Sequence, residues 1–400
     1  MSRLPLLIIG PLVVSLLLLT ASTSAPALAA VRSQGTSSPP DWRGTGLSEP
    51  VWRIFTPSSG ALLVRTSQAL VRAADADLSR WNPGRWQSVS LPPHAFDRRF
   101  WTVDVDPTNH DTLYASSTEG LSRSTDGGTS WTVILPLTGK EFVQRIAISP
   151  ANPNVLYVGI GNTGDGGIFK FLRSTDGGAS WETLETYMNM TCGWGVPILK
   201  PHATDENRLF RAGNCYAGRD FYDVLRQSTD QGTSWTKIFG VGVGGVSSRD
   251  PQHPQFAFPE LLVGGYGAAP GRYYLATHRD SRTGGGASVF RSDDDGQTWT
   301  EVYAYRPDTE SASELIAVHG LAYDPVQPDT VYIALNVYAE DGASSRKFVR
   351  AGVLVSTDGG ATWSEFGKQT LTAIHDLELG IDSRNLFVAT EQGLLYFPLE

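Results

Sequence analysis

The amino-acid sequence predicts an all-β protein assembled from one repeated four-stranded unit. The first ground is a pattern, Ser-x-Asp-x-Gly-x-x-Trp, that occurs five times. It stands at Ser124, Asp126, Gly128 and Trp131; at Ser174, Asp176, Gly178 and Trp181; and at Ser228, Asp230, Gly232 and Trp235. Two further copies follow at Ser292, Asp294, Gly296 and Trp299 and at Ser356, Asp358, Gly360 and Trp363. The second ground is composition: 42 Gly, 24 Pro and 11 Trp with 18% charged residues is a turn-rich, aromatic-rich profile typical of sheet proteins. The third is that no long amphipathic period of a helix stands out.

The repeated pattern has the physics of a tight hairpin turn. An apolar-polar run enters it, as in Gly120-Leu121-Ser122-Arg123, and another leaves through Trp131-Thr132-Val133-Ile134. The glycines between supply the positive φ values that such a turn requires. The Ser hydroxyl and Asp carboxylate accept backbone N–H groups inside the turn, and the Trp ring is expected to lie over its own hairpin and fix the register.

On these residues the chain resembles the Asp-box, or bacterial neuraminidase repeat, family. That family includes sialidases, sortilin-type receptors, xyloglucan-cleaving hydrolases and propeller-type photosystem assembly factors. The resemblance implies a β-propeller in which each box joins the third to the outermost strand of a blade, on the face away from the ligand site. A fixed repeat overrides the two or three domains that 400 residues would otherwise suggest, so residues 49–400 are expected to form one domain.

Taken in order, residues 1–30 read as a secretory signal peptide: Arg3, an apolar run from Leu6 to Leu19, and Ala27-Leu28-Ala29 as the small-x-small cleavage pattern. No other segment could cross a bilayer. Residues 31–48, rich in Ser, Gly, Gln and Pro, form a polar linker. Blade one is a worn copy: Val51–Phe55, Ala61–Thr66, Ala69–Ala73 and Trp86–Val89, with Gly84-Arg85-Trp86 where a box has decayed. Blade two runs Phe100–Val105, Thr112–Ser116, Gly120–Ser124 and Trp131–Leu135. Blades three to six fall at about 142–186, 193–239, 241–304 and 314–367, with Asp250-Pro251-Gln252-His253-Pro254 read as the first turn of the long fifth blade. Residues 371–399 give three strands and no box. Their missing fourth strand is expected from Asp41–Gly46, closing a seven-bladed ring without bare edges. Six blades is the alternative, if blade one or the fifth copy is not a blade.

The formal charge of -9 at pH 7 and the lack of any basic run exclude nucleic acid as a general partner. The two cysteines, Cys192 and Cys215, lie in the exported part and are expected to pair. Cys192 precedes an inner strand at Gly195–Leu199 and Cys215 follows the next at Arg208–Gly213, which brings both to one sheet edge. The longest loops on the ligand face are Tyr187–Trp194, Asn214–Asp223, His278–Gly286, Tyr305–Glu314 and Tyr338–Lys347, with Asn162–Gly166 added by blade three. Around the predicted disulfide cluster Trp194, Tyr216, Arg219, Asp220, Tyr222 and Asp223, a mixture suited to stacking on and gripping a sugar.

Catalysis is less visible. The sialidase resemblance implies three arginines around a substrate carboxylate. Val51-Trp52-Arg53-Ile54-Phe55 matches the first arginine strand in two residues only, with Phe55 in place of Pro, so Arg53 reads as an ordinary strand residue. Asp104, Asp376, Glu314, Glu310 and Asp165 are the acids that could reach the central channel, as a paired-carboxylate glycosidase needs. His319 and His375 read as satisfied inner-strand residues, and the Gly-rich signatures of the xyloglucan-cleaving enzymes are not found. No metal-ligand set or cofactor fingerprint is present, so no metal and no cofactor are expected. The resulting expectation is a secreted, non-catalytic module that binds a glycan or an extracellular protein, with a sialidase-like hydrolase as the alternative.

Overall fold

The computed structural model describes residues 41–400 apart from 59–60, 74–85, 94, 96–101, 163–167, 189–197, 218–219, 241–255, 264–270, 280–285, 306–313, 325, 341–345, 381–382 and 400. The described residues form seven four-stranded antiparallel sheets arranged as the blades of a propeller. Blade one is Val51–Phe55, Leu63–Thr66, Leu70–Ala73 and Trp86–Val89; blade two is Val103–Asp106, Asn109–Ser117, Gly120–Ser124 and Thr132–Pro136. Blade three is Glu141–Ile148, Leu156–Asn162, Ile168–Ser174 and Glu182–Met188; blade four is Ile198–Pro201, Leu209–Ala217, Asp220–Ser228 and Thr236–Gly240. Blade five is Phe256–Val263, Tyr273–Arg279, Ala287–Ser292 and Thr300–Tyr305; blade six is Glu314–Tyr323, Val331–Glu340, Arg346–Ser356 and Ser364–Leu371. Blade seven takes Ile374–Leu379, Asn385–Thr390 and Gly393–Pro398 from the end of the chain and Arg43–Gly44 from its beginning, so the ring has seven blades and the six-bladed alternative falls away.

The closing strand is only two residues long, with Arg43 opposite Tyr396 and Gly44 opposite Leu395. Side chains and flanking bonds reinforce it. Thr45 donates its backbone N–H and its hydroxyl to Leu394 O at 3.2 and 2.9 Å, and Trp42 packs edge-on against Phe366 and Phe397.

Each Asp-box has one internal geometry. Ser124 Oγ accepts the buried N–H of Gly128 at 2.8 Å and donates to Asp126 Oδ1 at 2.8 Å; Asp126 in turn accepts the N–H of Ser130 at 2.9 Å. The same Ser-to-Gly bond recurs in the four other boxes at 2.7 to 2.9 Å. Both central residues are left-handed, at φ 70° and 90° for Gly127 and Gly128. Gln231 and Asp295 hold the first of these positions in their boxes at φ 55° and 59°, where a side chain is strained.

The tryptophan reaches beyond its own hairpin, although Trp299 and Trp363 also share their N–H with Gly296 O and Gly360 O of their own turns at 3.0 and 3.1 Å. Its indole N–H crosses to the preceding blade: Trp131 donates to Ser90 O, Trp181 to Ile134 O, Trp299 to Ile238 O and Trp363 to Val302 O, at 2.8 to 3.0 Å. Trp86 does the same in the worn first blade, reaching Thr45 O at 3.1 Å. Trp235 keeps the place without the bond, and Arg211 lies 4.1 Å above its ring. An arginine one residue before the box serine adds a second tie, from Arg123 to Gly177 O and from Arg173 to Gln231 O, each at 3.0 Å.

Two other expectations are corrected. Asn214–Asp223 is not a loop: the two strands continue through it, pairing Asn214 with Asp223 and Cys215 with Tyr222, because an unbroken ladder satisfies backbone groups that a loop would leave to water. The Asp250–Pro254 segment precedes the first strand of blade five, Phe256–Val263, and is not the turn after it. That segment, the signal region and residues 31–40 of the linker lie outside the described residues, while the rest of the linker carries the closing strand.

These geometries give two expected outcomes. Ser174→Ala, which orphans the buried Gly178 N–H, lowers stability by about 1–3 kcal/mol, whereas Gln231→Gly relieves a left-handed side chain and raises it by up to about 1 kcal/mol in denaturant melts. The five box aspartates are held at about 2 by hydrogen bonds, first from the hydroxyl of the residue immediately before the Trp. Their unfolded value is about 3.9. Their contribution is therefore complete above about pH 4 and is lost as pH falls towards 2. Melting temperature measured against pH should drop most steeply in that window; a drop centred above pH 5 would contradict this assignment.

Candidate functional site

A cavity of about 680 Å³ occupies the central channel. The inner strands all run from the face opposite the Asp-boxes to the Asp-box face. Trp52 and His375, near strand starts, line one end, and Pro57, Pro107, Pro150 and Pro201, at strand ends, line the other. The prolines fall where a strand ends and its first turn begins, positions that need no ladder N–H.

The wall between them carries charged side chains from five inner strands: Arg53, Asp104, Arg145, Lys200 and, both from blade seven, Asp376 and Glu378. The repeat places three of them. In blades one, three and seven a bulge sits just before this position, and the residues that follow it are Arg53, Arg145 and Asp376. Blades five and six have the same bulge, followed by Glu260 and Gly320. Gly320 is required there: a Cβ would stand 2.5 Å from Leu377 Cβ and 2.8 Å from its backbone nitrogen, so the strands of blades six and seven approach backbone to side chain.

Two carboxyls of the wall differ in environment. Asp104 is pushed up by burial, against the opposing pull of Arg53, Lys200 and Arg145, and accepts the N–H of Val105 at 3.0 Å. Asp376 is fixed by two backbone donors, Ile54 N–H at 2.8 Å across the blade boundary and Leu377 N–H at 3.0 Å. Arg65 sits opposite Arg53 in the ladder, and burial, with repulsion from Arg53 and Arg145, brings it down to about 10. At the channel end, the Trp52 indole is 40% exposed and stacks on His375, ring centroids 4.0 Å apart. Burial lowers the pKa of His375 despite Glu391 at 3.2 Å.

Against these positions the sequence-based site separates in two. Arg53, read as an ordinary strand residue, lines the channel with Asp104 and Asp376. His319 is 3.5 Å from the Tyr338 hydroxyl in the core of blade six. Of the predicted sugar-gripping cluster, Trp194 and Arg219 lie outside the described residues, as does Cys192. Tyr216, Asp220, Tyr222, Asp223 and Cys215 are placed as backbone in the long hairpin of blade four. Glu310 and Asp165 also lie outside the described residues, and Glu314 is the first residue of an inner strand. Sequence reasoning missed Arg145 and Lys200, which no local motif marks. Among the described residues no group of His, Cys, Asp and Glu could hold a metal ion, and no helix is long and apolar enough to cross a membrane.

Comparison with known proteins agrees with this architecture. The BNR/Asp-box repeat model matches residues 354–365, and the model for sortilin, neurotensin receptor 3, matches residues 119–244. The xyloglucanase Xgh74A of Acetivibrio thermocellus is 26% identical over 348 residues, 76% of this chain and 37% of the relative. A xyloglucanase of Hypocrea jecorina is 26% identical over 314 residues, 72% of this chain and 33% of its own length. The chain thus spans about a third of the length of these curated relatives. Among solved structures, the GH74 enzyme of Niastella koreensis superposes with a TM-score of 0.58 at 18% identity, covering 89% of this chain and 53% of that one. The GH74 xyloglucanase of Xanthomonas campestris gives 0.58 at 16%, covering 90% and 53%. An oligogalacturonate lyase gives 0.56 at 8%, covering 92% and 99%.

The chain is therefore an Asp-box propeller, as its repeats imply. The expectation of a non-catalytic binding or assembly module is corrected: the relatives that align along three quarters of the chain are xyloglucanases, which points to a glycoside hydrolase. Of the alternative, a sialidase-like glycoside hydrolase, the comparisons favour the hydrolase part, and the relatives reported are xyloglucanases.

Proposed function

We propose that this chain is an exported glycoside hydrolase acting on a branched β-glucan of the xyloglucan type. The observation that carries the reading is the alignment with xyloglucanases over 76% of the chain. The channel supplies a chemical rationale. Glycoside hydrolysis needs one carboxylic acid to protonate the leaving oxygen and a second carboxylate to act as base or nucleophile. Asp104, pushed up by burial, suits the proton donor, and Asp376, clamped by the backbone N–H groups of Ile54 and Leu377, suits the partner. The partly exposed Trp52 face, backed by His375, offers a sugar ring an apolar platform at the channel end.

The test is reducing-sugar release from xyloglucan by the full chain. Asp104→Asn should lower kcat by about 100-fold or more with little change in melting temperature, and Asp376→Asn should lower kcat similarly with some loss of melting temperature, because its amide has one acceptor oxygen for two backbone N–H groups. Hydrolysis that survives both substitutions would move the chemistry out of the channel, and no hydrolysis by the unaltered protein would overturn the reading.

A further inference from the structure

We propose that His375 is the positioning residue of the platform at the channel end: it holds the Trp52 indole flat to a neutral glucan ring and gates that contact by its own protonation. This deepens the hydrolase reading and rests on it for the identity of the sugar. Both rings stand on bulges of neighbouring inner strands. Trp52 is the extra residue between Val51 and Arg53 of blade one, and His375 is the extra residue between Ile374 and Asp376 of blade seven. Their planes lie 28° apart with centroids at 4.0 Å, so the pair is stacked across the blade boundary. The imidazole, with a side chain only 14% exposed, covers an indole that stays 40% exposed at the cavity. The bulge itself does not ask for a ring, since blade three carries Gln144 at the same place.

The backbone around His375 is fixed from three directions. Asn336, fully buried on blade six, accepts the N–H of Ile374 at 2.9 Å and donates to its carbonyl at 2.8 Å. From blade one the N–H of Ile54 reaches Asp376 at 2.8 Å, and from the blade's own turn the N–H of Glu391 reaches Ala373 O at 3.0 Å. The imidazole is thus a rigid base for the indole. The same turn brings the Glu391 carboxylate to 3.2 Å from Nε2. Of the other titratable groups on the surrounding elements, Asp376 is engaged by two backbone N–H groups, Arg53 stands next to Trp52, and His319 and Tyr338 of blade six face each other at 3.5 Å. A sugar stacks its weakly positive C–H groups on the negative face of an indole. A neutral imidazole behind that indole leaves the face electron-rich, whereas an imidazolium draws density away from it and is pulled towards Glu391. Burial holds His375 below the usual imidazole range, so near neutral pH the platform is in its binding form.

Calorimetric titration of the full chain with a xyloglucan heptasaccharide, from about pH 5 to about pH 8, tests this. Affinity should be level at the alkaline end and fall by about threefold or more as pH drops below about 6.5, because the sugar prefers the neutral form. His375→Phe keeps a flat ring without a titrating proton; it should retain the affinity at about pH 7.5 and lose the step, while His375→Ala should bind about tenfold more weakly there. Glu391→Gln removes the charge that favours the imidazolium, so the step should move to lower pH. A level profile in the unaltered protein, a readout that needs no variant to fold, would overturn the proposal. So would a step that survives in His375→Phe, which assigns it to Asp104 or Asp376, or unchanged affinity in His375→Ala at retained melting temperature. Sugar release, followed separately, keeps the two readings apart: pH-stepped binding without cleavage of any glycan supports the platform and sinks the hydrolase, and cleavage of xyloglucan without heptasaccharide binding does the reverse.

Discussion

The structure depends on one contact repeated around a circle: an indole at the start of each outer strand, turned onto the blade before it. Seven of the 11 tryptophans occupy this place, namely Trp42, Trp86, Trp131, Trp181, Trp235, Trp299 and Trp363. Five of them donate their N–H to a backbone carbonyl of the preceding outer strand. Trp42 instead packs on Phe366 of the preceding blade. A sheet that is apolar on both faces must find a partner on each, and the hydrophobic clusters accordingly straddle blade boundaries. Leu121 of blade two shares a cluster with Val143 and Val158 of blade three, and Val289 of blade five shares one with Ile333 of blade six. The indole adds a direction to that non-directional attraction, because a buried N–H without an acceptor costs about 1–3 kcal/mol. Rotation of one blade against the next is thereby opposed at the rim as well as at the core.

The same logic explains how two residues close the ring. A strand as short as Arg43–Gly44 has too few ladder bonds to hold by itself. It is clamped from both sides: Trp42 sits on Phe366 and Phe397, while Trp86 of blade one donates to Thr45 O. Closure is thus another instance of the blade-to-blade staple and needs no separate device. The Asp-box serves that staple. Its Ser and Asp hold the left-handed turn, its fourth residue bonds back to the first turn of its own blade, as in Gly127 N to Asp111 O at 2.9 Å, and the turn so fixed presents the Trp.

How much of this the sequence carried follows from where each feature is encoded. The blades were legible because the box is local: eight residues specify their own turn, and the strands on either side follow from register. Even the worn first blade was placed, its inner and outer strands at the expected residues, Val51–Phe55 and Trp86–Val89. The direction of the indole was not legible, since a Trp after a turn could as well cover its own hairpin, and the acceptor is up to 61 residues away. The channel was harder still. Arg53, Arg145 and Lys200 lie in three different strands with no motif around them; a bulge precedes Arg53 and Arg145, whereas Lys200 reaches the channel from a ladder without one. A repeat conceals its own centre in this way: the residues that meet at the axis are those at which the copies differ.

That difference is the last step. At the staple positions the copies are held alike by a bond that each must make to its neighbour. Along the axis they differ: Arg53, Arg145, Glu260, Gly320 and Asp376 follow a bulge, while Asp104 and Lys200 stand nearer the ends of ladders that are regular at that point. Packing forces one of these choices, since Gly320 leaves no room for a Cβ against Leu377. It does not force the others, because a channel wall of alternating size could be filled by Val or Leu at less desolvation cost than charges incur. Charges retained along the channel, on strands whose remaining residues are largely apolar, are unfavourable for folding alone. The ring is therefore best understood as a rigid frame stapled at its rim, and the charged axis as the place where that rigidity is put to chemical use.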